Sequence, residues 1–170
     1  MVYVRRMTEQ NLRSAFAGES QAHTRYLIFA TKAEEEGYPN VARLFRAIAF
    51  AELIHARNHL NELKGIGATS QNLQAAIDGE TYEVEEMYPA FNEVAKLQGE
   101  SGAERTTRWA MEAEKIHAGL YQKAKQAVES GADAQIGKVY VCEVCGYTVE
   151  GEAPDKCPIC GAPREKFKEF

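Results

Sequence analysis

The sequence predicts a mainly α protein, a four-helix bundle followed by a small β domain that a metal must hold together. Three observations predict it. Ala51-Glu52-Leu53-Ile54-His55-Ala56 returns 62 residues later as Ala113-Glu114-Lys115-Ile116-His117-Ala118, and Tyr26, Phe29 and Gly37 recur as Tyr88, Phe91 and Gly99 at the same offset. Apolar residues in both halves of this repeat follow the three-to-four spacing of one helix face. All four cysteines fall between 142 and 160, as Cys142-x-x-Cys145 and Cys157-x-x-Cys160. The repeated feature is chemical, because a Glu and a His three residues apart project from the same face of a helix. One such pair arises by chance; two in matching surroundings point to metal ligands.

The composition allows this architecture. Of 170 residues, 45% are hydrophobic and 26% charged, which suits one globular domain with a small appendage. We place the bundle in residues 1–136 and the appendage in 137–170. No run of about 18 apolar residues is present, so no membrane span is expected. A formal charge of −5 without a concentrated basic face argues against nucleic acid as a partner. The opening Met1-Val2-Tyr3-Val4-Arg5-Arg6 lacks the apolar stretch and cleavage site of a signal peptide. Cysteines clustered in such a chain read as a metal site rather than a disulfide framework, and a cytoplasmic location is expected.

Taken in order, Thr8 can cap a first helix running to about Glu36, with Leu12, Phe16, Ala22, Tyr26 and Phe29 on its inner face. Glu19 lies within that face, where an unpaired carboxylate would be costly without a cation, a proton or hydrogen bonds. Gly37 and Pro39 break the helix, and Asn40 can cap a second that ends near Lys64. Val41, Leu44, Phe45, Ile48, Glu52 and His55 share its stripe. Residues 65–77 read as the connection between the repeat halves. Asp78 can cap a third helix with Glu80, Glu83, Met87, Phe91 and Val94 inward, bent at Pro89. Glu85 and Glu86 read as solvated. Gly99 ends it, and Ser101-Gly-Ala-Glu104 has the form of a capping box for a fourth helix running to about Ser130. Val139-Tyr140-Val141 can start a strand of the tail, which is too small for a hydrophobic core of its own.

The inward polar residues form one set: Glu19, Glu52, His55, Glu80, Glu83, Glu114 and His117. A carboxylate from each of two helices with Glu-x-x-His from each of the other two is the pattern of a dinuclear carboxylate bundle. Bridging carboxylates, here Glu52 and Glu114, screen the repulsion between two cations; Glu19 and Glu80 fit terminal positions. Oxygen and imidazole donors together suit iron or manganese. Glu83 exceeds the minimum. Two ferrous ions are neutralised by four carboxylates, and a fifth suits the oxidised pair, so we expect Glu83 to bind the oxidised site and yield to neutral His55 on reduction. The alternative is that Glu83 is an outer hydrogen-bond acceptor. His23 and His59, one turn beyond Glu19 and His55, read as neighbours of the site or surface groups. Tyr26 and Tyr88 are placed either to donate hydrogen bonds to terminal carboxylates or to pack in the core.

The four cysteines are a strong tetrathiolate signal, which zinc would make structural and iron would make a one-electron relay. The Cys-x-x-Cys-Gly-Tyr and Cys-Pro-x-Cys-Gly knuckles are similar to those of rubredoxin, which favours iron.

With both sites assembled, the whole chain resembles rubrerythrin, a ferritin-like di-iron bundle followed by a rubredoxin-like domain. The motifs are Ala17-Gly18-Glu19-Ser20-Gln21-Ala22 with Arg25-Tyr26, Ala51-Glu52-Leu53-Ile54-His55-Ala56, Gly79-Glu80-x-x-Glu83 leading to Glu86-Met87-Tyr88-Pro89, Ala113-Glu114-Lys115-Ile116-His117, and the four cysteines. The resemblance implies two iron ions in the bundle and one in the tail. It implies a peroxidase of anaerobes or microaerophiles that reduces hydrogen peroxide to water and protects against oxidative stress. Electrons would come from an NAD(P)H-dependent reductase, often through a rubredoxin, by way of the four-cysteine iron. The His/Glu exchange is a family property at positions matching His55 and Glu83. The resemblance also implies a homodimer in which one subunit's tail iron lies near the partner's di-iron site. Short-linker relatives exchange helix pairs between subunits, and the 65–77 connection here is short. A ferroxidase or iron-handling protein is the alternative function, against which the relay-like tail argues.

Overall fold

The structure, a computed structural model, describes residues 5–170; the reading of Met1–Val4 lies outside them. The chain divides into two compact units, one up to Gly67 and one comprising Ala68–Phe170.

The first unit is an antiparallel hairpin of α1 (Arg6–Glu35) and α2 (Pro39–Glu62). Neither helix has a side-chain cap: α1 starts two residues before Thr8, and α2 starts at Pro39 rather than after Asn40. Proline suits that first position, since its fixed φ is helical and its missing N–H would have no partner there. The hairpin's seam is made of alanines. Ala30 and Ala33 on α1 and Ala42, Ala49 and Ala56 on α2 are buried, the last three at seven-residue intervals. Val41, Leu44 and Ile48, expected on the inner stripe, are exposed instead. Side chains this small let the helix backbones approach, and His23 Nδ1 lies 2.8 Å from the Ala49 carbonyl across the seam.

The sequence repeat is visible in the backbone. Gly37 and Gly99 both take left-handed φ, 81° and 71°. In each case the following N–H reaches back over the turn, Tyr38 to the Ala33 carbonyl at 2.8 Å and Glu100 to the Ala95 carbonyl at 2.9 Å. These are matching glycine-dependent helix stops.

The second unit opens with α3 (Thr69–Tyr82), so most of the segment read as a connection is helix. The Gln71 side chain accepts a hydrogen bond from the Ala68 N–H at 2.8 Å, and Ile77 is buried. Asp78 therefore lies inside α3 rather than capping it. A π-helical turn over Glu83–Met87 follows, then α4 (Tyr88–Gln98). At Pro89, where a bend is expected from the sequence, a wider π turn precedes the proline, which sits in the first turn of α4. Helix α5 (Ser101–Glu129) runs back antiparallel, with Ser101 already inside it and no side-chain cap. Asn92, 6% exposed, ties α4 to α5 by donating to the Glu104 carbonyl and Thr107 Oγ1.

The tail forms a three-stranded antiparallel sheet of order β2-β1-β3, from Val139–Cys142 (β1), Thr148–Glu150 (β2) and Phe167–Glu169 (β3). It rests on its own α5, with Lys123 Nζ 2.8 Å from Glu150 and Thr148 Oγ1 2.9 Å from His117 Nε2.

Candidate metal centres

In the first unit α1 supplies Glu19 and α2 supplies Glu52 and His55. One ligand atom from each lies within 4.8 Å of the others. His55 Nδ1 is 3.0 Å from Glu52 and 3.8 Å from Glu19. His55 is 53% exposed, Glu52 only 16%. Its Nε2 makes no hydrogen bond within the described hairpin. Beside this triad, His23 bonds backbone rather than joining the donors. Tyr26 packs against Phe29 and Phe45, with ring centroids 6.4 and 6.1 Å away.

The second unit repeats the arrangement. Helix α3 supplies Glu80 and α5 supplies Glu114 and His117, again with ligand atoms within 4.8 Å. His117 Nδ1 lies 2.5 Å from Glu114, and its other nitrogen faces Thr148. Burial, a hydrogen bond with Glu114 and the Glu114 charge push the Glu80 carboxyl up to about 7, against the opposing pull of His117. Glu83, the first residue of the π turn, stands outside the three-donor cluster. Burial first and then the Glu114 charge raise its pKa, and the imidazole of His117 opposes them. Burial and the charges of Glu83, Glu114 and Glu80 raise that of Tyr88.

The four-cysteine site is built by two hairpin knuckles of the same design. Gly146 N–H donates to the Cys142 carbonyl and Gly161 N–H to that of Cys157, both at 2.9 Å. Each turn aims two thiols inward. All four sulfurs lie within 4.8 Å of one another, with Cys142–Cys160 at 3.7 Å and Cys145–Cys157 at 3.4 Å, and none is in a disulfide. A tetrahedron with metal–sulfur bonds of about 2.3 Å has edges of about 3.8 Å, so the cage has the size of a metal tetrathiolate. Burial pushes the Cys145 thiol up; a bound cation would reverse this by binding the thiolate. The donor chemistry fits iron in all three clusters, with hard oxygens and imidazole in the triads and soft sulfur in the cage.

Thr148 is the one residue of these surroundings that the sequence did not disclose. Its position beside His117 depends on how the tail packs, and no local pattern carries that information.

A helical chain with two carboxylate–imidazole triads and a tetrathiolate cage is a non-haem iron protein of the ferritin-like, rubredoxin-tailed class. Residues 10–125 match the family described as Rubrerythrin, and residues 140–168 match its rubredoxin-like domain. Rubrerythrin-2 of Clostridium acetobutylicum is 49% identical over 96% of this chain and 97% of its own. Nigerythrin of Nitratidesulfovibrio vulgaris is 38% identical over 96% of this chain and 86% of its own. The solved structure of fully reduced, all-ferrous nigerythrin superposes with a TM-score of 0.56 at 36% identity, covering 95% of this chain and 86% of that one. The chain belongs to the rubrerythrin family. Its cofactors are a di-iron pair and an iron in the cage of Cys142, Cys145, Cys157 and Cys160.

Proposed function

We propose that this protein is a peroxidase that reduces hydrogen peroxide to water with electrons passed through the four-cysteine site. The observation that supports it most is the seat of the tail: the four-cysteine fold touches the imidazole of a triad, an arrangement that electron delivery needs and iron storage does not. Iron, when bound, supplies the electrons that cleave the O–O bond. Its ligands in the bundle would be Glu19, Glu52, His55, Glu80, Glu83, Glu114 and His117, with Glu52 and Glu114 as bridges.

Reducing one peroxide to two waters takes up two protons as well as two electrons. Glu83 is a carboxyl whose surroundings favour the protonated form, so it can hold a proton where an oxygen departs. Glu83 lies outside the donor cluster and suits this role when His55 ligates. Within its own chain His55 is half exposed and held through Nδ1 alone, whereas His117 is held at both nitrogens, so His55 would be the freer of the two to move. The same asymmetry supports an exchange of His55 and Glu83 with redox state. Tyr88 can orient the Glu83 carboxyl, while Tyr26, set among phenylalanines, acts through packing.

The donor we propose is a rubredoxin or an NAD(P)H-dependent reductase, in the cytoplasm, where thiols stay reduced. The active species would be a homodimer with exchanged helix pairs. Phe29, Leu44, Ile48 and Phe50 on the hairpin, and Phe91 and Leu97 on α4, are exposed and need cover. Each di-iron centre would then draw Glu19, Glu52 and His55 from one chain and its other ligands from the second. The tail that serves it would be the one belonging to Glu114 and His117.

The test is an anaerobic stopped-flow experiment on fully reduced protein mixed with one equivalent of peroxide or oxygen, read at the ferric tetrathiolate absorption. Colour returning much faster with peroxide supports the reading. Faster return with oxygen would replace it with a ferroxidase, and Cys145→Ser should abolish turnover driven by the external donor.

A further inference from the structure

We propose that Thr148 is the positioning residue for His117: its hydroxyl sets the imidazole's tautomer and couples the four-cysteine fold to the triad. Thr148 Oγ1 donates to the Gly146 carbonyl at 3.0 Å and lies 2.9 Å from His117 Nε2. A hydroxyl has one proton. With that proton on the Gly146 carbonyl, Thr148 faces His117 as an acceptor, and the imidazole must carry its own proton on Nε2. Without metal, the 2.5 Å approach of Nδ1 to Glu114 needs one proton shared between them; a metal arriving at Nδ1 would take that proton's place, while Nε2 keeps its own. The direction of both hydrogen bonds follows from this one constraint.

The coupling is as local as the tautomer. Gly146 follows Cys145, and its N–H donates to the Cys142 carbonyl. Its Cα side approaches Ala113, since a Cβ built there would lie 4.0 Å from the Ala113 Cβ. Two hydrogen bonds through one hydroxyl therefore join a cysteine knuckle to the imidazole. On the solvent side of the same junction, Lys123 and Glu150 form a separate bridge that touches neither group. The repeat-related His55 has no counterpart to Thr148 in its own hairpin, so the device belongs to one half of the duplication.

This inference rests on His117 being a metal ligand, and the two can fail separately. Full-length protein labelled with ¹⁵N in histidine and loaded with Zn²⁺ at all sites is diamagnetic. His117, assigned by loss of its signals in His117→Gln, should show a protonated Nε2 with a slowly exchanging N–H. Thr148→Val keeps the branched shape and removes the hydroxyl, and should speed that exchange by about tenfold or more, with Zn²⁺ affinity at the triads falling roughly 10-fold. Thr148→Ser should restore both. Lys123→Ala should change neither. Unchanged exchange in Thr148→Val, or equal loss in Lys123→Ala, overturns the role of the hydroxyl. If Thr148→Val speeds exchange but His117 signals are the same with and without Zn²⁺, Thr148 positions an imidazole that binds no metal. The ligand assignment then falls and the positioning stands.

Discussion

Metal loading of the triads should release a proton from Glu80, and the amount can be worked out. Burial and Glu114 hold the Glu80 carboxyl at about 7 in the metal-free fold, against 4.5 for an ordinary glutamate. At pH 6 such a group is roughly 90% protonated, where an ordinary one is about 3% protonated. A metal binds the carboxylate and not the acid, so its arrival must expel that proton. The comparison is between wild type and Glu80→Gln, which keeps a polar partner for Glu114 but has no proton to lose. Calorimetric titration with Zn²⁺ in buffers of different protonation enthalpy counts the protons, using protein whose four-cysteine site is already filled. Wild type should release about 0.9 proton more than the variant at pH 6 and only about 0.1 more at pH 8. Equal counts at pH 6 would show that Glu80 is either ionised in the metal-free fold or not displaced by metal. The sign for stability follows from the same raised pKa. The folded, metal-free protein binds more protons than the unfolded chain between pH 4.5 and about 7. Its stability should therefore fall as pH rises through that window, and bound metal should remove the loss.

Two other predictions probe the scaffold. Ala49, fully buried in the middle of the alanine seam, has no room for a larger side chain. Ala49→Leu should cost about 1–3 kcal/mol, lowering the melting temperature by several degrees in circular dichroism; an unchanged melt would mean the helices are not in close contact there. Asn92→Ala removes the donor that Thr107 Oγ1 accepts from and one of the donors to the Glu104 carbonyl, and so the side-chain tie between α4 and α5. A loss of roughly 1–3 kcal/mol in urea unfolding is expected, and none would show that the α4–α5 tie carries no stability.

The two Glu/Glu/His clusters were legible because Glu-x-x-His is a local pattern: helix geometry alone puts Glu52 beside His55 and Glu114 beside His117. The cage was legible for the same reason, since each Cys-x-x-Cys knuckle closes on itself through its own glycine. Glu19 and Glu80 could be found because a carboxylate in an apolar stripe has to be explained. What escaped was set by competition between elements. Thr8 and Asn40 are good capping residues, yet each lies inside a helix that began earlier, and Ser101 is the first helical residue of α5 rather than its cap; a cap contributes only about 1 kcal/mol, which tertiary packing outweighs. The 65–77 stretch reads as a connection from its place between the repeat halves, but most of it is helix, and Ile77 gives that helix a side to bury. The alanine heptad at 42, 49 and 56 is present in the sequence but carries less hydrophobicity than its larger apolar neighbours, which dominate the stripe. Those neighbours, Val41, Leu44 and Ile48, lie on the exposed face of the hairpin.

The duplication itself carries the functional argument. Two copies of one motif would give two equivalent metal positions, and an enzyme that cycles between oxidation states gains little from equivalence. Here the copies differ in what holds the imidazole. His117 is locked between Glu114 and Thr148, beside the fold through which electrons would arrive. Within its own hairpin His55 has Glu52 and Glu19 near one nitrogen and, among the described residues, no hydrogen-bond partner at the other. A ligand that must leave and return belongs on the loosely held copy, and a ligand that must keep a relay in register belongs on the locked one. The tail therefore does more than carry an iron. By docking on α5 it breaks the symmetry of the repeat, and in the mechanism proposed above this would leave movement to the His55 half and electron entry to the His117 half.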